Sequence, residues 1–336
     1  MFDNIGDQFI WWYGVVENRN DPLKLGRLQV RIYTWHSSDK TLTPTSSLPW
    51  AMPIQGINSS AMGNIGKSPT GIVEGTWVVG FFIDGNEAQQ PIIMGTTAGI
   101  PLKEANTEKG FSDPNGVYPK RINEPDVNRL ARNDTDFKHE VLDKKENSRT
   151  KVVRTSRGTT WDEPSSTYAA EYPKNHVMET ESGHIKEYDD TEGKTRIHEY
   201  HNSGTFYEID NDGNKVTRVV GDNYEIIAGT NYVNVKGSVN LNIDSNCNTF
   251  IKGDWNIKVD GKKTETVAGD VVEKYLSDHD VDVTGNQTQD AKTINLNSGT
   301  NGAARINDNT IDNDSESNGP DSGTIVSGSR TVKIGG

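Results

Sequence analysis

The chain has 336 residues, 32% of them hydrophobic, with a mean hydropathy of -0.73 and a formal net charge of -13. That is too little apolar material for one globule of this length, and it points to two or three domains with much of the chain outside a conventional core. The acidic balance excludes a nucleic-acid-binding shaft, and no apolar run is long enough to span a bilayer. Charge is unevenly spread: residues 1–130 carry 11 Lys/Arg against 13 Asp/Glu, a net of -2, which leaves -11 on the remainder. Such an acidic surface reads as solubility and self-avoidance.

The N-terminal stretch MFDNIGDQFIWWYGVV has no basic region and runs at once into polar turn residues, so no signal peptide is expected. Short alternating or apolar runs follow at 14–17, 27–32, 76–83 and 91–95, separated by turn signals such as Asn20-Asp21-Pro22 and Asp84-Gly85-Asn86. This pattern predicts a small barrel of five or six strands over residues 1–105. Residues 106–160 are polar and read as a linker, with a short helix near Asp136 to Glu146 whose Glu/Lys content suits a solvated face. Residues 161–212 read as transition strands. Asp189-Asp190 and Asp210-Asn211-Asp212-Gly213 are turn-flanking acidic residues, and no bidentate Glu follows at calcium-loop spacing. His198 and His201, at odd spacing on a strand, fall on opposite faces, which disfavours a shared metal.

Residues 213–293 carry an eight-residue repeat. Gly213, Gly221, Gly229, Gly237, Gly253, Gly261, Gly269 and Gly285 share one register, with Ser245 and Ser277 in the two gaps. Two positions earlier stand Val219, Ile227, Val235, Ile243, Ile251, Val259, Val267, Tyr275 and Val283. Gly-Asp and Gly-Asn steps tolerate positive φ, so each octad is read as a strand closed by a kink. Period-two sorting places Val239, Leu241, Ile243, Cys247 and Ile251 on an inward face and Asn240, Asn242, Asp244 and Lys252 on a wet one. Cys247, the single cysteine, is therefore a packing residue, and no disulfide framework exists.

A rung of eight residues is too short for one chain to close alone, since a three-sided coil needs roughly twice as many at about 3.3 Å each. Three copies wound about one axis would bury the Val/Ile face and pair every strand. The expected fold class is all-β: an N-terminal barrel followed by a trimeric intertwined β-helix or β-prism of octapeptide repeats. After about residue 294 the octad fades into a tip segment, where 308–323 reads as a polar loop and Thr331-Val332-Lys333-Ile334 as an alternating run.

The stretches GVVENRNDPLKLGRLQVRI (14–32), LPWAMPIQ (48–55), GIVEGTWVVGFFIDGN (71–86) and PIIMGTTAGI (91–100) resemble the OB-fold domain of the central baseplate spike of T-even-like contractile-tailed phages. The match continues through 110–134 and 160–213 into the octads. The resemblance implies a cell-puncturing homotrimer located in the virion, at the baseplate centre on the distal end of the tail tube. In such a spike the barrel docks on a trimeric hub protein and the prism transmits contraction force to the host outer membrane. Type VI secretion spikes share the arrangement, and a spike of a contractile secretion system is the alternative reading; a glycan-degrading tail fibre enzyme is a further rival. The lysozyme domain of the best-known family member has no room between Asn133 and Thr160, about 28 residues. No enzyme activity, catalytic residue, cofactor, metal site or nucleic-acid partner is expected. The segments 303–310 and 323–336 resemble PAAR-repeat tip proteins without their zinc ligands. Two readings stay open, a metal-free cap or a platform formed by Thr331, Val332 and Ile334 for a separate PAAR-like tip protein, and the platform is favoured. Hub contacts are sought in the barrel loops around Gly56 to Gly71 and Asp84 to Gln90.

Overall fold

The computed structural model describes residues 9–106 and 116–292, with two short strands at 309–312 and 321–324. It divides into two units, residues 1–248 and 249–336. In the first unit, strands β1 (Ile10–Asn18), β2 (Leu28–Ile32), β3 (Trp50–Pro53), β4 (Trp77–Phe82) and β5 (Pro91–Thr97) close into a barrel in the order β1-β2-β3-β5-β4. Only the β3–β5 pairing is parallel. Alternation explains the strands: Trp12, Val16, Val30, Ile32, Val78, Phe82 and Ile93 point inward and form the core. Closure leaves no strand edge open.

Two features tighten the barrel. At Gly80 an added Cβ would press into both the Ile92 carbonyl oxygen and the Trp12 ring, so only glycine lets the indole lie across β4. Arg31 and Glu17 form a fully buried pair at 2.7 Å. Thr45 also donates to Glu17 at 2.7 Å, and Arg31 donates to the Thr43 carbonyl at 2.9 Å. Burial pushes the Glu17 carboxyl up, but these donors outweigh it and hold it below the usual range.

A second sheet is a five-stranded antiparallel meander: β8 (Asn175–Glu179), β9 (Ile185–Asp189), β10 (Arg196–Tyr200), β11 (Phe206–Ile209) and β12 (Lys215–Arg218). One face is covered by the stretch expected to be a linker. There α1 (Arg129–Arg132) and α2 (Glu140–Asn147) place Leu130 and Val141 against Ile185, Tyr200 and Phe206, and β6 (Val153–Arg154) pairs with β7 (Thr160–Trp161). This segment is a packed strap. The helix lies close to its expected position and Glu140, Asp143, Lys144 and Glu146 face solvent, but Lys145 is buried.

The strap is held by charge. Glu187, Arg196 and His198 are fully buried, with Lys145 and Glu208 nearly so. Arg196 donates to Glu187 at 2.6 Å and to Glu208 at 2.8 Å, and Lys145 reaches Glu208 at 2.7 Å. The Lys145 ammonium also lies 4.2 Å above the Phe206 ring. His198 Nδ1 meets Glu187 at 2.6 Å, while its Nε2 faces Lys145 at 3.3 Å. Two cations and two carboxylates therefore balance around a neutral imidazole whose Nδ1–H donates to Glu187. Burial pushes His198 down, and although Glu187 pulls it up, Lys145 repels the imidazolium. Burial raises Glu187, yet His198 and Arg196 bring it down to about 2.

Two predictions follow from this packing. Gly80→Ala is expected to destabilise the barrel by about 2 kcal/mol through overpacking, read as a lower urea midpoint by tryptophan fluorescence. His198, depressed in the fold, is neutral there while the unfolded chain takes up a proton below about pH 6.5, so stability falls as pH drops from 7.5 to 5.5. His36, also pushed down by burial, adds to the slope. His198→Gln should remove its own share of this slope and leave that of His36, read as a shallower fall of the urea midpoint with pH.

Candidate assembly surfaces

From residue 219 to residue 292 the chain is extended and bends at 220–221, 228–229, 236–237 and so on through 284–285, once per octad. Among the described residues this stretch contains no strand and no backbone-to-backbone hydrogen bond. Apart from the Val220 N–H, which donates to the Thr205 hydroxyl at 3.0 Å, no hydrogen bond from this backbone to the rest of the chain is seen among the described residues, and its donors and acceptors need other chains or water.

The apolar residue two positions before each bend is the most sheltered one in its octad. Val219, Ile227, Val235, Ile243, Ile251, Val259, Val267, Tyr275 and Val283 are 40–53% exposed, against 57–90% for the other large apolar residues of the repeat. The kink screens them, but nothing in the same chain covers them. Cys247, placed inward by periodicity, is exposed in the single chain.

The glycines behave differently from the sequence reading. Gly213 has φ +80 and belongs to the tight turn between β11 and β12, where its N–H donates to Asp210. Gly221, Gly229, Gly237, Gly253, Gly261, Gly269 and Gly285 bend the chain without entering the left-handed region, and a Cβ on any of them would meet nothing within 4 Å. Positive φ is therefore not the reason for the register. Neither backbone conformation nor intrachain crowding explains these glycines.

The octads start from the free face of the second sheet. On β12, Val216 and Arg218 turn toward the strap, where Arg218 meets Glu163 at 2.6 Å, so Lys215, Thr217 and then Val219 lie on the opposite side. That side also carries Tyr188, Ile197, Tyr207 and Ile209, and an open groove of about 500 Å³ lined by residues such as Met178, His184 and Tyr207. Val219, the first sheltered octad residue, is thus in register with an uncovered sheet face. His198 lies inside the sheet, whereas His201 is exposed and its ring sits 4.4 Å from that of His184. No group of three or more His, Cys, Asp or Glu suited to a metal occurs among the described residues.

Near the C-terminal end, β13 (Asn309–Asp312) pairs antiparallel with β14 (Asp321–Thr324), where the composition suggests a polar loop. Thr331, Val332 and Ile334 lie outside the described residues.

Sequence comparison gives this architecture its relatives. The family model for the Gp5 N-terminal OB domain matches residues 33–179, a span running from the barrel through the strap into β8. Protein Gp5 of Vibrio phage KVP40 is 44% identical over 253 residues, covering 66% of this chain and 60% of that protein. The pre-baseplate central spike protein Gp5 of Enterobacteria phage T4 is 46% identical over 123 residues, 35% of this chain and 21% of that protein. The chain thus spans about three fifths of one relative's length and about one fifth of the other's. It carries the Gp5 OB domain and is a relative of the T4-like phage baseplate spike proteins.

Proposed function

We propose that this chain is the central spike of a contractile phage baseplate and works mechanically as a homotrimer. The observation that carries the reading is the octad itself: its apolar edge, its backbone and its glycines all lack a counterpart within one chain. Three copies wound together supply each of these at once. The Val/Ile edges meet on the axis, strands pair between subunits, and a glycine at each bend admits the neighbouring backbone. Backbone bonds that run between chains resist local unravelling, which suits a part that must transmit force.

In this reading the barrel seats on a trimeric hub, the octad prism drives into the host outer membrane, and the C-terminal segment carries a PAAR-like tip protein. No chemistry is assigned to the spike. The stretch between barrel and sheet is used up in the strap, whose buried carboxylates Glu187 and Glu208 are each paired with a cation, an arrangement that builds a core and not a glycan cleft. Peptidoglycan hydrolysis, where needed, comes from another protein.

Ile251→Asp combined with Val259→Asp tests this. Each substitution sets three carboxylates around a dry axis and removes roughly 2 kcal/mol of burial per side chain. The purified variant should lose its trimer, and phage carrying it should form particles that do not plaque. Normal oligomerisation and infectivity would overturn the proposal.

A further inference from the structure

The barrel has two uncharged surfaces, one with no part in the spike reading and one that this reading sets among the candidate hub contacts. The first is a wall without charge: no Asp, Glu, Lys or Arg occurs in residues 9–16, 76–83 or 91–102, which include most of β1 and all of β4 and β5. Its outward positions hold interlocked rings. Phe9 stacks on Phe81 at 4.6 Å with Trp11 edge-on to Phe9 at 5.0 Å; Tyr13 stacks on Trp77 at 4.8 Å, and Tyr33 follows at 5.8 Å. Phe9, Trp11, Tyr13 and Tyr33 are all 41–54% exposed. Rings already fixed by one another lose little freedom when covered, and that is the composition of a binding surface.

The second is the loop between β3 and β4. Residues 54–66 are also free of charge, yet Ile57, Met62 and Ile65 project from them at 108%, 77% and 70% exposure. The loop has a set shape: the Ser59 N–H donates to Gly56, the Ile65 N–H to Met62, and the Lys67 N–H to the Ser59 hydroxyl, each at 2.9 Å. Its apolar tip is held away from its own barrel.

We infer that the 54–66 loop of one copy docks on the ring-lined wall of the next copy, so that three such contacts close a ring at the barrel end of the trimer. The inference rests on the trimeric reading. A copy of this chain is the fitting occupant for two reasons. Residues 1–130 carry a net charge of only -2, so the barrel end is where copies of an acidic chain meet with least repulsion, and it offers two uncharged surfaces, one of projecting apolar side chains and one of exposed rings. A head-to-tail contact requires two different patches on one subunit, and threefold rotation closes it. From the exposures above, loop tip and rings together bury roughly 900 Å² per contact. This is less than the roughly 1,200 Å² of a stable interface, so the ring forms only between copies already tethered by the prism. The loop is then spent within the trimer, and hub contacts fall to Asp84–Gln90.

The test uses the full chain with Cys247→Ser, adding Met62→Cys on the loop and Tyr13→Cys on the wall. A flexible bis-maleimide is applied, followed by a heated SDS gel and light scattering in parallel. Because Tyr13→Cys removes a ring, Thr97→Cys, beside Tyr13 and bonded to its hydroxyl at 2.7 Å, serves as a second wall position. The expected result is covalent trimer from loop-plus-wall pairs and monomer from either cysteine alone. If single-cysteine chains cross-link as well as the pair, like patches meet and the head-to-tail contact is wrong. If both pairs stay monomeric on the heated gel while light scattering shows trimer, copies do not meet through these surfaces, and the contact fails while the spike reading stands. Monomer by light scattering would overturn both.

Discussion

An extended chain that bends every eighth residue cannot satisfy itself. Between residues 219 and 292 there is neither a ladder partner nor a second apolar layer, and the sheltered Val/Ile edge still has about half its surface open. A globular protein would meet this constraint with a hairpin or a helix; here the sequence forbids both by holding period eight through Ser245 and Ser277 as well as the glycines. We propose that other copies of the same chain supply what is missing, and the second sheet and its strap suit that need. The second sheet delivers β12 into the first octad with Val219 on its open face. The strap closes the opposite face, so that one side of the sheet stays uncovered among the described residues.

That closure is made with charge where a small sheet would ordinarily use aliphatic side chains. Arg196, His198, Glu187, Glu208 and Lys145 occupy inward positions on β9, β10, β11 and α2. A buried network of this kind adds little net stability over an apolar core, but it fixes one partner for each strand and helix. A register slip of one residue would expose all of it and bury Lys186 and Glu199 instead, so the network specifies the strand order that aims β12.

The barrel was readable because its strands alternate, with Trp12, Val30, Ile32 and Phe82 facing in and turn signals between them. The octads were readable as a repeat, and the residues two positions before each glycine are the least exposed large apolar ones, whereas Val239, Leu241 and Cys247, placed on the same inward face by period two, are exposed in the single chain. The strap was not. Residues 129–147 have a charged composition that normally means a solvated face, and their burial depends on Glu208 and His198, which lie more than fifty residues away. The available hint was Leu130 with the pair Val141-Leu142, apolar residues in an otherwise charged stretch. The conformation at the glycines was also misread: a Gly-Asp step suggests positive φ locally, while from Gly221 onward the repeat glycines stay out of the left-handed region. Gly213 shows the contrast, since it fits the octad spacing yet serves a hairpin turn.

The central claim is that the octads are completed by two further copies. Its most direct test is the molar mass of the purified chain by light scattering, before and after SDS without heating. The account predicts a particle near threefold the 37.1 kDa chain mass that survives the detergent. A clean monomer would contradict it, because the Val/Ile edge and the unpaired backbone would then have no partner.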